Sequence, residues 1–256
     1  MIFRCQLRAG DKIQLPFTPI LDIRGNAGKL KTTKFKKQKM KLTISKEDYL
    51  KAIAEAQNEE EPVIAATIAR WLKITPPAVA LALRRLERDK LIRMGRSGRI
   101  LLTTAGRQIS DRVRKRHRLI ERMLTELLGM EWYKVHDEAE RLEHAVSDDL
   151  ERKLIQKLGE GGPCPHGYEI NTGVAQRRKA GLRLLAEVPP GTRGRVVGMY
   201  ERDRALLEYL DGLGLRPGSQ VQVLSRNYDE TMILELGAKR VHLGQAAAKR
   251  VWVKVE

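Results

Sequence analysis

The sequence predicts a mainly α fold with a small β component. A winged helix-turn-helix leads, a helical unit follows and a small β-barrel closes the chain. Three observations carry this prediction. Apolar residues recur at helical spacing from Ser45 to Leu128, interrupted by one short basic hairpin. From Glu187 the texture changes to short apolar runs separated by Gly, Pro and Asn turns. The charge is +17, from 49 Lys plus Arg against 32 Asp plus Glu. Such a balance calls for a polyanion, nucleic acid first and an anionic membrane surface second.

The elements follow in order. Residues 1–39 lack a helical period and end in "KLKTTKFKKQK". Their composition predicts a basic, disordered extension that adds nonspecific DNA affinity. Met40 opens the first well-patterned segment and is an alternative translation start. Residues 40–108 carry the winged-helix pattern. "SKEDYLKAIAEA" offers Ser45 as N-cap, acidic residues in the first turn, and an apolar face of Tyr49, Leu50, Ile53 and Ala54. "VIAATIARWLKI" is a second helix stopped near "TPP". The third helix starts near Pro76, where proline is tolerated. Two strands, Leu91–Met94 and Arg99–Thr103, flank the turn "GRSG".

Residues 109–160 are expected to form a helical dimerisation and metal-binding domain. A long helix runs from about Thr104 to Leu128, ended by Gly129, with a stripe of Leu119, Ile120, Met123, Leu124, Leu127 and Leu128. That stripe exceeds what a small winged helix needs, which suggests a dimer. Residues 161–186, beginning "GGPCPHGYEINTG", read as a linker, with "AQRRKAGLRLLAEVPPG" continuing it as a partly helical stretch. In residues 187–256 one helix, "RDRALLEYLDGLGLRPG", interrupts the strands and closes at Gly212 or Gly214.

Several classes are excluded. No run of about 18 apolar residues exists to span a bilayer. The N-terminus lacks the apolar core and cleavage site of a signal peptide. Cys5 and Cys164 do not make a disulfide framework, so a reducing cytoplasm is expected.

The chemistry concentrates in one window. Four of the five histidines lie between residues 117 and 166. Glu140, Glu143 and His144 share one helical strip, which His136 extends. His117 and Glu121 stand four apart, and "CPH" supplies Cys164 and His166. Any single pair of these is ordinarily a surface ion pair or a satisfied core histidine. Together they offer the mixed carboxylate, imidazole and thiolate donors that a borderline divalent cation takes. A metallohydrolase acting on a polyanion is the remote alternative, although "HExxH" is missing.

From Ser45 to Glu256 the chain resembles the diphtheria toxin repressor family of metal-dependent transcription regulators. The block "KRHRLIERMLTELLGMEWYKVHDEAERLEHAVSDDLERKL" carries the resemblance, with the order winged helix, metal-binding helices and SH3-like FeoA-type barrel. It implies no enzyme activity, a homodimer and double-stranded operator DNA. It implies a primary metal site of Asp48, Glu140, Glu143 and His144. The carboxylates at Asp48 and Glu140 match the manganese-responsive branch, where the iron branch has Met and Cys. Hard oxygen donors suit Mn(II), with Fe(II) the alternative cofactor. His117, Glu121, Cys164 and His166 match an ancillary site, to which the barrel adds Asp203 or, alternatively, Asp211. His136 matches an ancillary ligand of the iron branch. Lys51 departs from the short manganese regulators, which place Glu there for a second metal, so a dinuclear site of that kind is not expected.

For DNA, a recognition helix presents its N-terminal residues to the major groove. That points to Thr75, Pro77, Ala78 and Leu81, then Arg84 and Arg85. Pro, Ala and Leu cannot form bidentate hydrogen bonds, so methyl contacts and DNA shape are expected to carry readout, with some of these positions also in the core. Arg96 and Arg99 in the wing suit phosphates.

Overall fold

The computed structural model describes residues 44–169 and 172–256; the expected basic extension, residues 1–39, lies outside them. The first helix, α1, spans Ile44–Asn58 and therefore takes Ser45 into its first turn instead of being capped by it. α2 is Ala65–Leu72, stopped by Lys73 in the left-handed region. α3 is Pro76–Arg88, with proline in its first turn. The wing pairs β1 (Ile92–Met94) with β2 (Ile100–Leu102), antiparallel, Ile92 opposite Leu102. Leu50, Ile53, Ile68, Val79, Leu86 and Ile100 close the core of this part.

α4 spans Thr104–Arg122, and the Thr103 side chain caps it by accepting from Gly106 N. It does not run on as one regular α-helix to Leu128. Met123–Leu127 form a single wider π turn. α5 (Val135–Leu142) and α6 (Asp148–Leu158, capped by Ser147) pack beside it. The expected apolar stripe divides. Leu119, Ile120 and Leu124 are buried, while Leu127 and Leu128 remain 44% and 64% exposed.

The stretch 161–186 is not a plain linker. It holds α7 (Val174–Lys179) and β3 (Leu182–Leu184). The alternation Leu-Arg-Leu has a strand period but is too short to read alone. β3 pairs with the last strand, so the sheet begins before Glu187. The remaining elements are β4 (Arg193–Met199), α8 (Arg204–Leu213), β5 (Gln220–Arg226), β6 (Met232–Leu236), β7 (Lys239–Leu243), α9 (Gln245–Ala248) and β8 (Val251–Val255). The six strands pair antiparallel in the order β3-β8-β4-β5-β6-β7. Gly214, at φ 85°, ends α8 in a conformation that glycine adopts without strain. Trp132 and Tyr133, just after the π turn, pack on the barrel core. That contact anchors the barrel to the helices and brings the β4–α8 turn close to α4.

Candidate metal centre and nucleic-acid interface

Two groups of carboxylates and histidines converge inside this framework. In the first, Asp48 on α1 meets Glu143 and His144, which follow α5. His144 Nε2 lies 2.7 Å from Asp48 Oδ1 and 3.5 Å from Glu143 Oε1. Its Nδ1 faces Glu47 at 2.7 Å, a partner that the sequence reading did not include. Burial pushes the Asp48 carboxyl up, against the opposing pull of His144. His144 is raised: burial works against its charge, but Glu47 and Asp48 outweigh it.

Lys51 sits behind this group. Its buried ammonium donates to Glu143 Oε2 at 2.7 Å and Oε1 at 3.0 Å, and lies 3.0 Å from His117 Nδ1. A cation of the chain therefore occupies the space between the two groups. It helps to hold the Glu143 carboxyl below its usual range despite burial.

Glu140 stands apart from the other three expected primary residues. Its side chain is 42% exposed, with Oε1 3.6 Å from His136 Nε2, 3.7 Å from Arg202 Nη1 and 3.9 Å from Lys51 Nζ. Those cations keep its carboxyl low.

The second group is buried. Glu121 Oε1 lies 3.0 Å from His117 Nε2, 3.2 Å from His136 Nδ1 and 3.4 Å from His166 Nδ1. Cys164 Sγ stands 3.8 Å from His166 Nδ1 and 3.6 Å from Glu201 Oε2. Gly167 makes the "CPHG" loop possible. At φ 91° it lies so close to β4 that a Cβ would fall 1.9 Å from Val197 O. Burial disfavours the Glu121 carboxylate, yet His117 and His166 hold its pKa well below the usual range. Glu201 is likewise held down to about 2, against burial, chiefly by Arg118. His166 is raised well above its ordinary value by Glu121 in spite of burial. Glu121 Oε2 and His166 Nε2 have no hydrogen-bond partner. Buried polar atoms of this kind call for an explanation, and an ion is one.

The barrel residue in this group is Glu201, not Asp203. The Asp203 side chain caps α8 by accepting from Leu206 N, and Asp211 accepts from Trp132 Nε1 at 2.7 Å. His136, matched by resemblance to an ancillary ligand of the iron branch, lies against both His117 and Glu121. The signal for Glu201 was weak, because "YERD" reads as an ordinary solvated turn.

The candidate DNA face is accessible. Thr75, Pro77, Ala78, Leu81, Arg84 and Arg85 on and before α3 are all exposed, as are Arg96 and Arg99 in the wing. The expectation that Pro77, Ala78 or Leu81 doubles as core does not hold. Val79, Leu83 and Leu86 fill that role, and Leu81 is 50% exposed. Among the described residues no helix is long and apolar enough to cross a membrane.

Comparison with known proteins identifies the three parts of the chain. Residues 41–97 match the family model "Iron dependent repressor, N-terminal DNA binding domain". Residues 103–172 match "Iron dependent repressor, metal binding and dimerisation domain", and residues 183–255 match "FeoA domain". The iron-dependent repressor IdeR of Mycobacterium leprae is 32% identical over 225 residues, covering 83% of this chain and 98% of that one. The diphtheria toxin repressor of Corynebacterium diphtheriae is 32% identical over 197 residues, 73% of this chain and 87% of that protein. A solved manganese-dependent transcriptional repressor, in complex with manganese, superposes with a TM-score of 0.72 at 30% identity, over 82% of this chain and all of that one. The chain belongs to the iron-dependent repressor family, whose members are metal-dependent DNA-binding transcriptional repressors and not enzymes.

Proposed function

We propose that this chain is a Mn(II)-responsive repressor, acting in the cytoplasm as a homodimer on double-stranded operator DNA of metal-uptake or homeostasis genes. The observation that carries the choice of metal is the donor set of the first group. Asp48, Glu143 and His144 offer two carboxylates and one imidazole, a hard set suited to Mn(II). Glu140, close by on α5, completes the primary set that the family resemblance implies. His117, Glu121, His136, Cys164, His166 and Glu201 form the ancillary set. The unpartnered Glu121 Oε2 and His166 Nε2 support an ion there. When bound, a divalent cation supplies the positive charge that these carboxylates otherwise draw from histidines and Lys51.

The chain's own residues then account for regulation. Asp48 belongs to the DNA-reading part, whereas Glu143 and His144 belong to the helical part. Holding the three together fixes α1 against the end of α5. Left uncompensated, Asp48, Glu47 and Glu143 repel. An arrangement favoured only when these charges are balanced shifts its population with metal concentration. In a two-fold dimer this sets the distance between the two copies of α3, which successive major grooves require to be roughly 34 Å. Leu127, Leu128, Leu142 and Leu150 are exposed apolar side chains of the helical part, available to that dimer.

Fe(II) is the second reading. It is favoured by the thiol of Cys164, a softer donor, and by the likeness to iron-dependent repressors. The test is fluorescence anisotropy of a duplex selected from random sequence in Mn(II), titrated anaerobically with each metal. Activation at lower Mn(II) than Fe(II) is expected. The reverse order would give the assignment to iron.

A further inference from the structure

Glu201 and Arg202 are consecutive, in the turn between β4 and α8, and face different parts of the molecule. Glu201 reaches into the buried group. Arg202 reaches the helix-turn-helix. Its Nη1 donates to Glu55 Oε2 of α1 at 2.7 Å, and its Nη2 donates to the carbonyl of Trp71 on α2 at 3.4 Å. The guanidinium also lies 4.6 Å from the centre of the Trp71 ring. One planar group thus holds a carboxylate, an aromatic face and a helix carbonyl.

The Trp71 carbonyl has a particular position. It lies in the last turn of α2, where carbonyls lack intrahelical partners and a cation is favourable. The next residues, Lys73 to Thr75, are the turn into α3. Trp71 is 7% exposed, so a displaced Arg202 would leave a gap beside a core side chain. Arg202 also lies 3.7 Å from Glu140 Oε1. The peptide between residues 201 and 202 is planar, so a backbone displacement at Glu201 is passed on to the start of the Arg202 side chain.

We propose that Arg202 is a positioning residue that couples the buried metal-binding group to the DNA-reading helices through the barrel. This route runs through Glu201 instead of Asp48 and rests on the reading of Glu201 as part of an ancillary site. It gives the barrel a definite task, which is to set the end of α2 and hence the approach of α3 to DNA.

The test uses the full chain labelled with 5-fluorotryptophan. It has three tryptophans, and Trp71→Phe assigns the relevant 19F resonance. Zn(II) is the probe because it is diamagnetic, and bound ions are counted by calorimetry. In the unsubstituted chain the Trp71 signal should shift as the ancillary ion loads. Arg202→Gln should bind the same number of ions, lose that shift, and bind the selected duplex in Mn(II) about 10-fold more weakly. Arg202→Lys keeps a charge for Glu55 but lacks the flat fork, so it should recover only part of the affinity. A Trp71 signal in Arg202→Gln that still follows Zn(II), with affinity within about twofold of the unsubstituted chain, would overturn the coupling. A fall in ion count in Arg202→Gln would also overturn it, since Arg202 would then act on binding itself. An unsubstituted chain that takes up no ion would instead sink the metal reading on which the proposal rests.

Discussion

The two carboxylate–histidine groups are built from similar residues but held in different ways. The buried group draws His117 and Glu121 from α4, His136 from α5, Cys164 and His166 from one loop, and Glu201 from the barrel. His117, Glu121 and His166 are at most 4% exposed, and Trp132 packs the helices onto the barrel beside them. The other group joins the DNA-reading part to the helical part, and its Asp48 side chain is 38% exposed. The buried group is therefore integral to the fold, and the exposed one is a junction. A fold element resists substitution through stability, whereas a junction responds through coupling.

The largest effect on DNA should come from the junction. Asp48→Ala removes the carboxylate that joins α1 to Glu143 and His144. Operator affinity in saturating Mn(II) should fall by about 100-fold, at the upper end of ordinary coupling energies. Thermal unfolding of the metal-free protein should change little, because a partly exposed ion pair contributes little to stability. Anisotropy and calorimetry read the two quantities separately. An Asp48→Ala protein that responds to Mn(II) at the unsubstituted concentration would remove the junction's special status.

Glu121→Ala should show the opposite pattern. The carboxylate faces three histidines in a buried space. Removing it takes away the carboxylate they share and should cost about 2 kcal/mol of metal-free stability, moderated because His117 keeps Glu143, His136 keeps Glu140 and histidine can release its proton. DNA binding in excess Mn(II) should weaken by less than in Asp48→Ala. A melting temperature equal to that of the unsubstituted chain would show that the buried group is not integral to the fold.

The pH dependence sharpens the contrast. Burial disfavours protonated His136, but hydrogen bonds to Glu121 and Glu140 raise its pKa to about 9. Its folded value exceeds the unfolded one, near 6.5. The stability it contributes is complete below about pH 6.5 and is lost as pH rises through about 9. His166 shifts in the same direction. Metal-free protein should therefore melt at progressively lower temperature across that window. Zn(II) affinity should rise over the same range, because the ion no longer competes with protons. Scanning calorimetry and competition titrations test the two trends. His136→Gln should flatten the first, and a metal-free melting temperature that rises toward pH 9 would contradict the assignment.

Much of this arrangement was legible in the sequence, and the exceptions have physical causes. Helical period, proline at the start of α3 and the turn "GRSG" disclose the winged helix, because each reflects local backbone preference. The strip Glu140–Glu143–His144 was legible for the same reason. It does not disclose that Glu140 also turns toward Arg202, since that partner is 62 residues further on. Lys51 read as a departure from a pattern, but its burial between Glu143 and His117 depends on the packing of α1 against α4. The π turn was hidden, because Met123, Leu124, Leu127 and Leu128 fit a regular α period in sequence, and only the folded chain shows the wider turn leaving Leu127 and Leu128 exposed. Glu201 was missed because a charged turn is commonly solvated, and only the packing of the barrel on the helices turns it inward.

The smallest effect separates Glu201 from its neighbour. Asp203 is two residues on and carries the same charge, and the spacing alone did not distinguish them. Its side chain accepts from Leu206 N at 3.0 Å and caps α8. Asp203→Ala should therefore cost about 1 kcal/mol, as the loss of an N-cap does. In a chain of this size that corresponds to a fall of about 2–4 °C in melting temperature. The number of ions bound per chain should not change. Glu201→Ala should reduce that number by one, because its carboxylate faces Cys164 and His166. Calorimetric titration of both variants with Zn(II), beside a thermal melt of each, decides between them. An ion lost from Asp203→Ala would return the ligand to the position that the sequence first suggested, and would require the β4–α8 turn to rotate when metal binds.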